Sequence, residues 1–204
     1  MFSDRDYLAN FERCEIFAKG PSFENTPVQA GTLRVCINEA AIHTDTPMMI
    51  VCNDVEPLHN IEKALASGEM RAPSHNTPIL APQFPHKNLK TTPNPLSSYP
   101  FYTILSSYGY TWIPYNLKTA KTQKPDIITL NTAMSSTVTA VEFLVKHVPK
   151  VRHITTRGMA RGAGYHQAFE KYADTSRAPS TITMNNFERT CKDLCGKTVS
   201  IKME

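Results

Sequence analysis

Residues 155–173 read TTRGMARGAGYHQAFEKYA. Three glycines and two arginines, Arg157 and Arg161, stand between a β-branched run and an amphipathic one. Such a stretch can hold an anion, because amides at a helix N-terminus favour negative charge and guanidinium groups reinforce them. Two specific nucleotide signatures fail. A P-loop needs G-x-x-x-x-G-K-[ST], whereas Gly158 and Gly162 are four apart with no Lys-Ser/Thr after them. A dinucleotide fingerprint starting at Gly162-x-Gly164 needs a small residue where Gln167 stands. What remains is general anion affinity, or a tight strand-to-helix turn whose glycines let two backbones approach.

Other chemistry is sparse. The seven histidines are scattered over unrelated segments, and none stands in a signature with Ser, Cys or paired carboxylates. The HTD (43–45) and CND (52–54) stretches read as strand ends with turn chemistry. No catalytic residue is expected, so the chain reads as a non-enzyme. The five cysteines, Cys14, Cys36, Cys52, Cys191 and Cys195, are odd in number and widely spaced, as for reduced thiols inside a cell. Cys191 and Cys195 lack the second ligand pair that a zinc site needs, so no metal and no cofactor is expected.

The elements that must position these residues divide the chain into three expected regions. Residues 1–72 form an acidic region with strands TLRVCIN (32–38) and PMMIVCN (47–53) and a helix over 59–70 capped by Asn60. Residues 73–125 form an extended arm. Its seven prolines between Pro73 and Pro100 remove amide donors, and its aromatic run YPFYTILSSYGYTWIPY (99–115) must lie against this domain or a partner. Residues 126–204 are regular. A strand over 126–130 is followed by a helix from Ser135 or Ser136 that Pro149 stops, and by a second strand over 152–156. A helix on Tyr165, Phe169 and Tyr172 comes next, then strands STITM (180–184) and KTVSIKM (197–203). The fold class is α/β, with the C-terminal part read as two α+β layers in the order β-α-β-α-β-β.

Charge is uneven. Residues 1–70 carry five basic and eleven acidic side chains, a net of −6, and residues 71–204 carry seventeen and seven, a net of +10. A basic segment of that size suits a phosphate backbone, and the acidic front suits docking to a basic partner. No apolar run approaches a membrane span, and the N-terminus MFSDRDYLANFERCE has the features of neither a secretory signal nor a transit peptide.

The segment ITLNTAMSSTVTAVEFLVKHVPKVRHITTRGMARGAGYHQAFEKYA, closed by GKTVSIKME, resembles an Alba domain, the small nucleic-acid-binding fold of archaeal chromatin and eukaryotic RNA–protein complexes. The resemblance covers about residues 126–203. It implies that Arg157 and Gly158 meet a phosphate backbone, with Arg161 close by. It also implies a β3–β4 hairpin over 185–197 that carries Arg189, Lys192 and Lys197. Two departures stand out: NTAMSS lacks the family's lysines, and Met159 replaces a turn arginine. They weaken the phosphate surface, so that backbone binding is either reduced or shifted toward Lys118, Lys121 and Lys124. The implied function is a non-catalytic RNA-binding subunit of a large ribonucleoprotein, of ribosomal or RNA-processing type, binding RNA rather than DNA. Its N-terminal arm would dock to other protein subunits, and an Alba-type homo- or heterodimer partner is expected. The alternative is a scaffold subunit whose Alba-like fold packs only against protein. An intracellular site is expected, with mitochondrion and nucleus both open.

Overall fold

The computed structural model describes residues 7–27, 29–85, 94–118, 124–131, 135–159, 164–172 and 180–204. Its strands are β1 (Arg13–Phe17), β2 (Thr32–Ile37), β3 (Met49–Val51), β4 (Thr77–Pro82), β5 (Tyr110–Leu117), β6 (Ile128–Leu130), β7 (His153–Arg157) and β8 (Ser200–Met203). All pair in parallel in one sheet ordered β6-β5-β4-β3-β2-β1-β7-β8. Four α-helices lie whole among the described residues: α1 (Val55–Ser67), α2 (Pro100–Ser107), α3 (Ser136–His147) and α4 (Thr181–Cys195).

The sheet separates two apolar cores. On one face Val35, Met49 and Ile154 pack beneath Val138, Val141 and Leu144 of α3 and Met184, Phe187 and Cys191 of α4. On the other, Phe17, Cys36, Ile50 and Ile79 meet Leu58 and Ile61 of α1, Phe101 and Leu105 of α2, and Phe169. Burial on both faces explains why TLRVCI and MIV read as nearly continuous apolar runs rather than alternating ones.

This α/β architecture corrects the Alba-like expectation. Within residues 126–204, β6 lies at one edge of the sheet while β7 and β8 lie beyond β1 at the other, so these elements do not close on themselves. The expected hairpin over 185–197 is helical. Ser180 caps α4 by accepting from the Thr183 amide (3.2 Å), and Met184, Phe187, Cys191 and Cys195 form its buried stripe. The STITM alternation was therefore the start of a helix. The helix expected around Tyr165 is, in its described part, a 3-10 turn over Gln167–Tyr172.

The arm expected over 73–125 is also corrected. TPILAP is β4, fully buried between β3 and β5. Its prolines are tolerated because of register. The Cys52 amide donates to the Leu80 carbonyl, so the even-numbered residues of β4 face β3. The β3–β4 pairing is confined to Ile50↔Ile79 and Val51↔Leu80, which leaves Pro78 and Pro82 outside that ladder. The aromatic run packs on the chain itself: Tyr99, Phe101, Tyr110 and Tyr115 are buried. Strands from all three expected regions thus share one sheet. β1, unforeseen because Arg13 and Glu15 interrupt its apolar pattern, lies between β2 and β7.

Candidate ligand site at the carboxyl edge

From β1 the chain steps outward through β2 to β6, then returns by way of α3 to β7 on the far side of β1. The order reverses between β1 and β7. In open parallel sheets the connections leaving such a pair diverge, opening a crevice outside the carboxyl ends of the strands. A cavity of about 530 Å³ lies there. Its walls come from the exits of β1 (Ala18, Lys19, Gly20), β2 (Ile37, Asn38) and β7 (Gly158, Met159), and from the N-termini of α1 (Asp54), α3 (Ser135–Thr137) and α4 (Ser180, Thr183).

Glycine is required where β1 and β7 leave the sheet. The Gly20 amide donates to the Gly158 carbonyl at 2.8 Å, and the Ala18 amide donates to Arg157 at 2.8 Å. A Cβ on Gly20 would stand 2.2 Å from the Gly158 oxygen, and one on Gly158 would stand 2.4 Å from the Ala18 oxygen. Gly158 also has φ +77°. Asn38, a non-glycine residue at φ +54°, lines the same cavity, and such left-handed residues concentrate at functional sites.

Three groups give the cavity a positive pole. Ser135 caps α3, its Oγ accepting from the Val138 amide at 3.2 Å, and the first intrahelical bond is Thr139 N to Ser135 O. The Ser136 and Thr137 amides therefore precede the helix ladder at the cavity wall, and the first amides of α4 stand likewise. Both helix dipoles point their positive ends inward. Lys19 adds an ammonium group that is paired with Glu39. Its Nζ is held 2.6 Å from buried Glu39, which also accepts from Asn60 at 2.8 Å, and lies 5.0 Å from the Tyr165 ring centroid.

Beneath the floor, a buried polar chain ties the exits of β2, β3 and β5 to α3. Tyr115 Oη donates to Asn53 Oδ1 (2.9 Å), and Asn53 Nδ2 donates to Thr139 Oγ1 (3.0 Å). The Asn53 amide donates to Ser136 Oγ, which in turn donates to Asn38 Oδ1, each at 3.2 Å. With Oδ1 engaged, the NH₂ of Asn38 is the end of its amide suited to meet a ligand. Farther out, both oxygens of fully buried Glu142 accept from the Asn131 amide, at 2.9 and 3.0 Å, which fixes the chain leaving β6.

The residues expected to bind nucleic acid do not gather here. Gly158 does line the cavity, but Arg157 beside it donates to Glu15 and Glu204, each at 3.0 Å. Met159 is buried in the core rather than exposed in an arginine's place. Arg189 and Lys192 bond to Asn186 and Glu188 on α4, and Lys197 lies past its end. The fifteen residues of α4 carry Lys197 roughly 20 Å from the cavity. Lys124 is held through its backbone by Asn116 at the β5–β6 connection, about four strand spacings from β1. Lys118 donates its amide to Leu130 in the same region. Arg161 and Lys121 lie outside the described residues.

Sequence reasoning missed Lys19, Gly20, Asn38 and Asp54. The available signal was RCEIFA followed by Lys-Gly-Pro, an apolar run ending in a glycine turn; CND was a second strand end of the same kind. A hollow of about 660 Å³ at the opposite edge is bordered by Asp45, Glu69, Arg71 and His75, charges of mixed sign, and no α-helix N-terminus borders it among the described residues. Among the described residues no group of three His, Cys, Asp or Glu is placed to hold a metal, and no helix is long and apolar enough to cross a membrane. Comparison with protein-family models, with curated proteins and with solved structures finds no match to this chain.

Proposed function

We propose that this chain binds a small phosphorylated ligand of mononucleotide size in the carboxyl-edge cavity. The observation that carries the reading is the position of that cavity, at the reversal of strand order between β1 and β7, with Lys19 and the N-termini of α3 and α4 in its walls. The phosphate lies at the Lys19–Gly20 turn, beside Gly158 and the first amides of α3 and α4. A volume of about 530 Å³ suits a nucleotide and is too small for a structured polymer.

RNA binding and the protein-scaffold alternative both drew on an Alba-like unit, and the parallel sheet removes that common premise. Arg157, the leading RNA candidate, is already neutralised by two carboxylates. Isothermal titration with inorganic phosphate and the four ribonucleoside monophosphates tests the proposal, and a single-stranded RNA in the same series tests the polymer reading. Saturable mononucleotide binding that Lys19→Gln weakens about tenfold or more supports the cavity. Glutamine retains a donor for Glu39, which limits the structural cost of the change. RNA binding without mononucleotide binding, or an affinity indifferent to Lys19, refutes it.

A further inference from the structure

We propose that residues 164–172 form a strap that closes one wall of the cavity, and that protonation of His43 beneath the strap releases strap and ligand together. This rests on the mononucleotide reading of the cavity and adds its regulation. Gly164 and Tyr165 stand in the cavity wall. The His166 amide donates to the Lys19 carbonyl at 2.9 Å, so the strap holds the turn at which the phosphate lies. Fully buried Phe169 is its anchor, with the ring 4.8 Å from that of Phe23. Phe23 in turn donates its amide to the Gly20 carbonyl at 3.0 Å. At the far end Lys171 and Tyr172 both bond to Glu69, in the turn after α1. The strap contributes a 3-10 turn but no strand to the sheet. It can therefore lift without unpairing any strand, as low-stability wall segments do.

His43 lies under the anchor. Its ring is 5.3 Å from Phe169 and 6.1 Å from Tyr172, and its Nε2 is buried with no hydrogen-bond partner among the described residues. Protonation would place an unmatched N–H donor and a charge against two aromatic rings of the strap. The surrounding charges do not remove that cost. Burial lowers the His43 pKa; Glu69 opposes this, while Lys171 and His166 on the strap add to it. Glu39, in the turn leading to His43, is paired with Lys19, and Asp45 beyond it is exposed. The Cys36 and Cys52 thiols beneath stay protonated, since burial pushes both up. The closed strap thus excludes the proton, and the lifted strap lets the ring take it from water. Closure is complete above the ordinary histidine value and is lost as pH falls through the lowered one. Linkage is reciprocal: if acid expels the ligand by opening the strap, the ligand must lower the His43 pKa further. A phosphate acting on His43 through charge alone would raise it.

That difference in sign is the test. The His43 ring signals of the full chain, assigned with His43→Gln, are titrated by NMR with the chain free and saturated with the tightest-binding ribonucleoside monophosphate. Saturation should lower the His43 pKa by about half a pH unit or more. By the same linkage, calorimetry should show wild type losing about threefold or more affinity between pH 7.5 and 5 beyond the loss in His43→Gln, which carries the ligand's own titration. A His43 pKa that stays or rises on saturation overturns the inference without needing a variant. So do parallel affinity profiles for wild type and a His43→Gln chain that melts natively. If no mononucleotide binds wild type at pH 7.5, the cavity reading fails and this inference fails with it.

Discussion

The approach of β1 and β7 predicts a graded series of glycine substitutions. At Gly31, φ is +77° and an added Cβ meets nothing within 4 Å. Gly31→Ala therefore isolates the left-handed backbone penalty of ~1–2 kcal/mol. Loss of unfolded-chain entropy offsets ~0.4–1 kcal/mol of that, leaving a net cost of about 1 kcal/mol. Gly20→Ala isolates the contact: its Cβ would stand 2.2 Å from the Gly158 oxygen, a backbone atom that moves only with the strand exit. Overpacking of this kind costs ~1–3 kcal/mol, and loss of the Gly20–Gly158 hydrogen bond adds ~0.5–1.5 kcal/mol. Gly158→Ala combines φ +77° with a Cβ 2.4 Å from the Ala18 oxygen, giving about 3–4 kcal/mol. For a chain of this size each kcal/mol lowers Tm by ~2–4 °C. Calorimetric melts should then fall by about 2–4 °C for Gly31→Ala, by about 3 °C or more for Gly20→Ala and by at least about 6 °C for Gly158→Ala. If Gly158→Ala melts no lower than Gly31→Ala, β1 and β7 do not approach as described, and the crevice at their exits loses its foundation.

Two further predictions concern titratable groups. His43 packs 5.3 Å from Phe169, the buried anchor of residues 164–172, and burial lowers its pKa, with Glu69 opposing and Lys171 and His166 adding to the effect. Because the packed state disfavours the proton, its stability is complete above the ordinary histidine value of about 6.5 and is lost as pH falls through the lowered one. Hydrogen-exchange protection factors at the His166 and Phe169 amides should drop between pH 7.5 and 5, and His43→Gln should flatten the change; equal protection at both pH values contradicts the coupling. Burial also raises all five thiols, Cys36 and Cys191 to about 12, Cys195 to about 11, and Cys14 and Cys52 well above their ordinary value. A disulfide reagent at pH 8 should therefore react only as fast as the chain unfolds, with all five thiols released together in urea; a thiol that reacts at once in the native protein refutes this.

Local pattern carried much of the secondary structure. TLRVCI, MIV, HITTR and SIKM are strands where β-branched and apolar residues predicted them, and Ser135 and Pro149 bracket α3 through capping and the missing proline amide. Gly158 was rightly open to a reading of close backbone approach, and the partner is the exit of β1. What misled was pattern too short to separate periods: five residues of STITM fit alternation, and only the spacing Met184, Phe187, Cys191, Cys195 reveals the helix. Prolines argued against a strand at TPILAP because the rule presumes a neighbour on both sides, and only the register shows that Pro78 and Pro82 fall beyond the short β3. The candidate site was less legible still. Lys19, Asn38, Asp54 and Ser136 are separated by up to 117 residues, and nothing in their local spacing joins them. The sequence by itself determined where the chain extends, coils and turns, since those preferences act within a few residues. Only the tertiary structure decided which strand lies beside which, because that choice depends on burying both faces of the sheet at once. The reversal between β1 and β7 that opens the cavity follows from that pairing.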